Sequence, residues 1–326
     1  MTTTFLRSWR RTPSVSGPYQ ATAQDIAALN TVFSSAFTDR YRKDGLVGVH
    51  VPPLNAAVWR FALEDAAGGA MLWRGERDEV VAFNMCHLSG TEGWMGPLAV
   101  EPSYHGHGIG KRVVSTGVEW LRNQGARVIG LETMPRTVDN IGFYSSLGFI
   151  PGPITFTLTL EAAFASTRIP QLSRLSTHER MDAVDHCGTM VSTLLPGYDF
   201  RRELLLTDTM VLGDTLLLER GTSIDGFALC HSVPLVDGRG REELRVLKLA
   251  AKHEDDADLL ITQLADYARR SGTHRIAIRV QGAYTALYQR LIKRGARVRW
   301  TDLRMAVTGF AEPRPEPGVV LSNWEI

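Results

Sequence analysis

An internal repeat is the feature of this sequence that most constrains its fold. The letters FNMCH at 83–87 return as FALCH at 227–231, and FYSSL at 143–147 returns as LYQRL at 287–291. Both pairs have the same offset (231 − 87 = 144 and 288 − 144 = 144), which accident rarely produces. We therefore predict a duplicated unit, with a flexible tail over residues 1–17, a first unit over 18–162 and a second unit over 163–326.

Hydrophobic periodicity predicts the same elements in each unit. Short apolar runs between turn residues indicate strands, and apolar residues that recur every three or four positions indicate helices. In the first unit the predicted elements are a strand at 20–22, a helix at 24–37 capped by Thr22, strands at 70–74, 80–88 and 94–100, a helix at 109–123, a strand at 127–133, a helix at 138–147 and a strand at 154–160. With a second helix after the first, this order predicts an α/β class with a mixed β-sheet flanked by helices in each unit.

Composition narrows the choice of partners. The chain carries 36 Lys and Arg against 35 Asp and Glu, so no overall electrostatic field attracts nucleic acid or an acidic membrane.

No stretch reaches the roughly 20 apolar residues of a membrane helix, and Thr12–Gly17 occupies the position at which a secretory leader would be apolar. Cys86, Cys187 and Cys230 form no CxxC pair, which indicates buried, reduced thiols in a cytoplasmic protein.

A glycine-rich segment follows the predicted strand at 94–100. It reads HGHGIGK from His105 to Lys111 and leads into the helix at 109–123. Backbone N–H groups at a helix start attract phosphate when no side chain blocks them. A P-loop is excluded because no Gly-Lys-Ser/Thr follows in register, and a dinucleotide site fits poorly although Glu132 lies near the expected acid. Alone, the segment is explained equally well by a simple glycine turn.

Two further segments favour the phosphate site. LAVEP at 98–102 precedes the glycine-rich segment, and FYSSLGF at 143–149 follows it after a helix and a strand. In order and spacing these segments closely resemble the motifs of the GNAT N-acetyltransferases. The resemblance implies two tandem GNAT folds, in the two-domain organisation of mycothiol synthase-like enzymes, with acetyl-CoA as co-substrate and no metal.

The resemblance also implies which residues contact acetyl-CoA. The backbone of 98–100 would pair with the pantetheine arm, and the amides of 105–111 would hold the pyrophosphate. The complete expected set is Leu98, Ala99, Val100, His105, Gly106, His107, Gly108, Ile109, Gly110, Lys111, Thr137, Asn140 and Phe143. The chain departs from the family at three of these positions: His105 replaces Arg or Gln, Thr137 replaces Asn, and Asn140 replaces a small residue.

The implied chemistry is direct attack of an amine on the thioester. Tyr144 would lie beside the sulfur, and with a pKa of about 10 it is protonated at neutral pH and can donate to the departing thiolate. A core aromatic is the alternative reading, since Tyr288 repeats this residue in the second unit. As the base we name Glu92, with Glu132 as the alternative.

The second unit lacks the glycine-rich segment. KHEDDAD at 252–258 takes its place, with no glycine and four acids that would repel a pyrophosphate. We therefore predict one acetyl-CoA site per chain, and a structural or acceptor-binding role for the second unit. His87 recurs as His231 in this unit, which favours a shared packing role over catalysis for both histidines.

The predicted function is thus an acetyl-CoA-dependent N-acetyltransferase whose acceptor is a small-molecule amine. Transfer to a thiol or a protein amine, and a non-enzymatic acetyl-CoA sensor, stay open as alternatives. The acyl chain length and the oligomeric state are open as well.

Overall fold

A computed structural model describes residues 13–324, which form a mixed α/β fold around one continuous twelve-stranded sheet. The strands are β1 (Ser16–Gln20), β2 (Ala70–Arg74), β3 (Val80–Ser89), β4 (Glu92–Val100), β5 (Val128–Thr133), β6 (Phe149–Glu161), β7 (Gly213–Arg220), β8 (Ser223–His231), β9 (Glu243–Ala251), β10 (Arg275–Gln281), β11 (Arg297–Val307) and β12 (Val319–Ser322). The helices are α1 (Ile26–Lys43), α2 (Ala56–Ala66), α3 (Ile109–Asn123), α4 (Val138–Ser146), α5 (Thr177–Leu194), α6 (Arg201–Thr209), α7 (Glu254–Arg270) and α8 (Thr285–Lys293). The predicted fold class is confirmed.

Helices cover both faces of the sheet in each unit. On the α1/α2 side of the first unit, the buried residues include Leu29, Trp59, Phe83 and Met85. On the α3/α4 side they include Met95, Val113, Leu121 and Leu131. The second unit repeats this arrangement with α5 and α6 on one face and α7 and α8 on the other. Successive residues of a strand point to opposite faces, so each central strand contributes to both cores.

The predicted elements of the first unit are present, with shifts at some ends. β2 and α3 have the predicted bounds. α1 runs six residues beyond the predicted end at Phe37. Asp39 pairs with Arg42 and Lys43 in this extension, at distances of 2.6 Å, and such pairs one turn apart stabilise a helix that apolar periodicity alone does not reveal.

The flexible tail predicted over 1–17 is wrong at its end. Ser16 and Gly17 belong to β1, which lies earlier than the strand predicted at 20–22 and pairs antiparallel with β2. Arg112 of α3 holds this strand by donating to the carbonyls of Val15 and Gly17, at 2.9 and 2.8 Å. Residues 1–12 of the predicted tail lie outside the described residues.

The two units exchange the strand that follows their last helix, β6 in the first unit and β11 in the second. The strand order at the centre of the sheet is β5-β11-β6-β10. β11 of the second unit thus pairs with β5 of the first, while β6 of the first unit pairs with β10 of the second. β6 and β11 also pair with each other, antiparallel, from Phe149↔Val307 to Thr159↔Arg297. The division of the chain at residue 162 stays a prediction, and a cut there would separate β6 from both of its neighbours.

The three cysteines lie where their sequence context indicated. Cys86, Cys187 and Cys230 are buried and form no disulfide. Burial raises the pKa of each thiol, and the thiolate is the reactive form, so none of the three is suited to act as a nucleophile. No helix of the part that the structure describes is long and apolar enough to cross a lipid bilayer.

The strand exchange makes a prediction about separated halves. We expect residues 1–162 and 163–326, produced as two polypeptides, to remain unfolded or aggregate individually, because β6 and β11 then expose unpaired backbone groups. Mixed and refolded together, they should form a one-to-one complex with the circular dichroism spectrum of the intact chain. Size-exclusion chromatography with the refolded intact chain as control checks this. A folded, monomeric first half on its own would contradict the exchange.

Candidate functional site

β4 and β5 part halfway along their length. They pair in parallel over four positions, from Glu92↔Val128 to Met95↔Leu131, and the pairing then stops. β4 nevertheless continues along β3 as far as Val100, and β5 continues to Thr133. Leu98, Ala99 and Val100 therefore present a strand edge towards an opening in the sheet. An extended ligand with amide groups can pair with such an edge as a further strand would.

A bulge in β4 marks the point of parting. Between the pairs Cys86↔Met95 and Asn84↔Leu98, three steps along β4 match two along β3. Gly96 lies in this bulge with φ of 147°, a conformation that residues with a Cβ rarely adopt. The bulge bends β4 away from β5, and so opens the slot between them.

His87 supports this bulge from the α1/α2 side. Its Nε2 lies 3.1 Å from the carbonyl oxygen of Gly96, and its Nδ1 lies 2.7 Å from Asp65 Oδ2. Asp65 also accepts from Arg202 Nε at 3.2 Å. The repeated His231 has a different partner, the hydroxyl of Thr207 at 2.8 Å. The two histidines are both buried.

The glycine-rich segment lies between the end of β4 and the start of α3. Gly106 and Gly108 have φ of 80° and 78°, and a Cβ added at either would meet no atom within 4 Å. The first backbone bond of α3 runs from the Arg112 amide to the Gly108 carbonyl at 3.2 Å. The amides of 109–111 therefore have no partner within the helix, and they lie at its positive end. This is the geometry that a phosphate group requires.

Three side chains of this segment have distinct positions. His105 is exposed, and its Nε2 donates to the carbonyl of Val100 at 2.8 Å, so it fixes the end of β4 to the segment. His107 is half-buried and Lys111 is exposed. A Cβ at Gly110 would lie 3.5 Å from the Phe143 ring, which brings α4 against the first turn of α3.

Tyr144 lies on α4 with 7% of its surface exposed. Its ring contacts Phe143 and Phe149, with centroid distances of 5.2 and 5.9 Å. Burial raises the pKa of its hydroxyl to about 12. Tyr144 is therefore protonated at neutral pH and can only donate a proton.

Thr137 and Asn140 sit at the start of α4. Thr137 is buried as the residue before the helix, and its hydroxyl donates to Asp44, which also accepts from Arg40 at 2.6 Å. Asn140 is half-buried, with its Nδ2 3.5 Å from the hydroxyl of Thr133. The Thr137 hydroxyl thus connects the end of α1 to α4 rather than standing free for a ligand.

Both carboxylates named as possible bases are held by partners from the second unit. Glu92 is completely buried and accepts from Ser322 Oγ at 2.7 Å, and burial raises its pKa. Burial would also raise the pKa of Glu132, but the charges of Arg279 and Arg304 hold it below its usual value. Because Glu92 has no exposed surface, it cannot touch an acceptor directly.

Asp302 is a carboxylate near the slot that sequence reasoning missed. On β11 it is the neighbour of Leu303, which pairs with Thr133. Thr133 is the last residue of β5, at the end of the strand where the slot is open. Burial raises its pKa to about 6, although Arg279 donates to it at 2.9 Å. Trp300 Nε1 also donates to it, at 3.1 Å. The internal repeat does not predict that Asp302 lies near the slot of the first unit, because Asp302 belongs to β11, the exchanged strand of the second unit.

A cleft of about 260 Å³ lies elsewhere, between β6, β11 and the 309–314 loop. None of the residues expected to contact acetyl-CoA lines this cleft. It therefore does not mark the slot between β4 and β5.

Comparisons with known proteins agree with the arrangement of the first unit. Residues 34–149 match the acetyltransferase (GNAT) family. N-alpha-acetyltransferase 30 of Saccharomyces cerevisiae is 36% identical over 58 residues, 18% of this chain and 33% of the relative. Serotonin N-acetyltransferase 2, chloroplastic, of Oryza sativa subsp. japonica is 32% identical over 134 residues, 41% of this chain and 60% of the relative. The chain thus spans about a third and three fifths of these curated relatives.

A solved structure extends the likeness to the whole fold. A tandem GNAT protein from the clavulanic acid biosynthesis pathway superposes with a TM-score of 0.58 at 10% identity, over 92% of this chain and 100% of that one. At this identity the likeness concerns the fold alone. Together with the internal repeat, it shows that the chain has the fold of two tandem GNAT units, and the GNAT family match itself covers residues 34–149 of the first unit.

Proposed function

We propose that the first unit is an acetyl-CoA-dependent N-acetyltransferase, with an amine of a small molecule as acceptor. The observation that carries the proposal is the slot between β4 and β5, which opens beside the unblocked amides at the start of α3. A ligand with an extended amide-containing arm and a pyrophosphate fits both features at once. The names of the matched relatives, both of them N-acetyltransferases, support the same chemistry.

The residues present fit acetyl-CoA as the co-substrate. The free edge of β4 at Leu98–Val100 would pair with the pantetheine amides, and the amides of 106–111 would hold the pyrophosphate. Phe143 and Tyr144 close the slot from α4, so the thioester would lie between the bulge of β4 and this helix. Backbone N–H groups of β4 near the bulge can then stabilise negative charge on the thioester oxygen.

Two side chains would handle the protons of the transfer. The amine nitrogen forms a bond to the acetyl carbon while the carbon–sulfur bond breaks, so the amine loses a proton and the thiolate gains one. Tyr144, protonated at neutral pH, donates to the sulfur. Asp302 is better placed than the buried Glu92 to receive the amine proton, because its side chain is partly exposed, and burial raises its pKa to about 6.

Replacing Gly108 with aspartate tests the phosphate-binding segment. We expect acetyl-CoA affinity to fall by about a hundredfold or more, since two charges 4 Å apart near a protein surface interact by about 4 kcal/mol. Gly272→Asp is the matched control: Gly272 has φ of 76°, against 78° for Gly108, and a Cβ at either meets nothing within 4 Å. Calorimetric titration of both variants measures the effect. Equal affinities would show that the segment does not hold the phosphates.

Replacing Tyr144 with phenylalanine tests the proton donor. The ring contacts are kept, so stability and acetyl-CoA affinity should hardly change, while turnover should fall by about 10²–10⁴-fold if acid assistance is lost. Free CoA release with a panel of amines, thiols and a lysine peptide provides the assay. Tyr288→Phe, on the corresponding helix of the second unit, is the control. The repeat predicted from the sequence is wrong at this residue, because Tyr288 is the fourth residue of α8 and Tyr144 the seventh of α4, so Leu291 occupies the equivalent position. Equal and mild effects in the two variants would leave Tyr144 as a core aromatic, and no turnover of wild type with any acceptor would favour the sensor.

Replacing Asp302 with asparagine tests the proton acceptor. A base works deprotonated, and burial raises the pKa of Asp302 to about 6, so wild-type kcat/KM should rise with pH through this region. In Asp302→Asn we expect this rise to vanish and kcat/KM at pH 7 to fall by about tenfold or more. Asp225→Asn is the control, because Asp225 is 8% exposed, against 9% for Asp302, and is also ion-paired. A rise through pH 6 that persists in Asp302→Asn would assign the base elsewhere.

A further inference from the structure

The second unit repeats the parting of strands that forms the slot in the first. β9 and β10 pair in parallel over four positions, from Glu243↔Arg275 to Val246↔Ile278, and then separate. The same number of pairs joins β4 and β5 before they part. The second unit therefore has a slot between β9 and β10 at the position that corresponds to the proposed pantetheine slot.

β12 fills this second slot. Val319–Ser322 pair antiparallel with Lys248–Ala251, along the part of β9 that β10 has left. Val320 points into the core on the α5/α6 side, while Val319 and Leu321 point into the core on the α7/α8 side. All three are at most 4% exposed, so the strand occupies the slot through the full thickness of the sheet.

Tyr284 closes the outer edge of β12. Its hydroxyl donates to the carbonyl of Val320 at 2.9 Å and accepts from the Val320 amide at 3.2 Å. Tyr284 is the residue before α8, as Thr137 is the residue before α4 in the first unit. The backbone groups of β12 that face away from β9 thus have a built partner.

The first turn of α7 carries negative charge from its own side chains. Two residues separate β9 from α7, whereas eight separate β4 from α3, so the long phosphate-binding segment is missing. The first turn of α7 carries Glu254, Asp255 and Asp256. Arg290 pairs with Asp255, and Arg220 pairs with Asp256, each at 2.5 Å. Carboxylates at this end of a helix interact favourably with its dipole, as a phosphate would.

We propose that the second unit is a GNAT unit permanently occupied by its own chain, with β12 in the place of the pantetheine arm and the acidic first turn of α7 in the place of the pyrophosphate. The assignment of the slot to pantetheine rests on the proposed function. Occupation of the slot in cis keeps β9 in the sheet without a co-substrate and excludes acyl-CoA from this unit.

The end of β12 and the residues after it contact the first unit. Ser322 donates to Glu92 of β4 at 2.7 Å. Beyond it, the Trp324 ring lies 5.4 Å from the Trp94 ring and 6.1 Å from the His87 ring, between centroids. A strand seated in the second unit therefore supports the strand that carries the bulge of the first.

Hydrogen exchange of the full-length chain, with and without acetyl-CoA, tests the proposal. Without ligand, the segments 248–251 and 319–322 should exchange slowly, and 98–100 faster. Acetyl-CoA should slow the exchange of 98–100 and leave the other two segments unchanged, and calorimetry should give about one site per chain. Fast exchange at 319–322 without ligand, or new protection of 248–251 by acetyl-CoA, would overturn the proposal.

Failure of the proposed function gives a different result. If acetyl-CoA changes no segment and releases no heat while 248–251 and 319–322 stay protected, the occupied second slot stands and the acetyl-CoA assignment of the first falls. Tyr284→Phe provides an independent check, because it removes both hydrogen bonds to Val320 and keeps the ring. We expect exchange at 319–322 to become about tenfold faster, with Tyr288→Phe on the same helix as control. No change in Tyr284→Phe relative to this control would contradict the seating of β12.

Discussion

Backbone pairing between β6 and β11 joins the two units more firmly than side-chain contacts could. β6 lies between β11 and β10, which both belong to the second unit. β11 lies between β5 and β6, which both belong to the first. A buried N–H or C=O group without a partner costs about as much free energy as a lost hydrogen bond. Neither strand can therefore leave without exposing its partner, and the proposed active site of the first unit includes a wall that the second unit provides.

Buried charges fix the register of this joint. Arg304 of β11 is 3% exposed and lies between Glu132 of β5 at 3.1 Å and Glu312 at 2.9 Å, with its guanidinium 4.0 Å from the centre of the Trp94 ring. Removing one partner from such a cluster leaves an uncompensated charge, which costs about 3–5 kcal/mol. A slip of β11 by one residue would move Arg304 to the other face of the sheet, so this cluster disfavours alternative pairings.

The sequence predicts those features of the fold and of the candidate site that depend on residues close together in the chain. The repeat, the fold class and the strand–glycine–helix order around Gly108 follow from spacing and periodicity alone. The exchange of β6 and β11 leaves no such trace, because either strand has the same apolar alternation whichever neighbour it pairs with. β12 was missed for a related reason: four residues, Val319–Ser322, are too few to show a period. Asp302 could not be placed near the slot without the exchange, and the burial of Glu92 depends on Ser322, 230 residues away.

The exchange also bears on how the protein is made. β5 ends at Thr133, but its neighbour β11 does not begin until Arg297, so the ribosome must translate over 160 further residues before the first sheet can close. Bacterial and eukaryotic ribosomes add about 5–20 residues per second, which leaves the edge of β5 exposed for about ten to thirty seconds. An open strand edge invites pairing with other chains during that interval. The exchange therefore leaves the nascent chain of this protein open to mispairing for longer than a chain whose neighbouring strands follow each other directly.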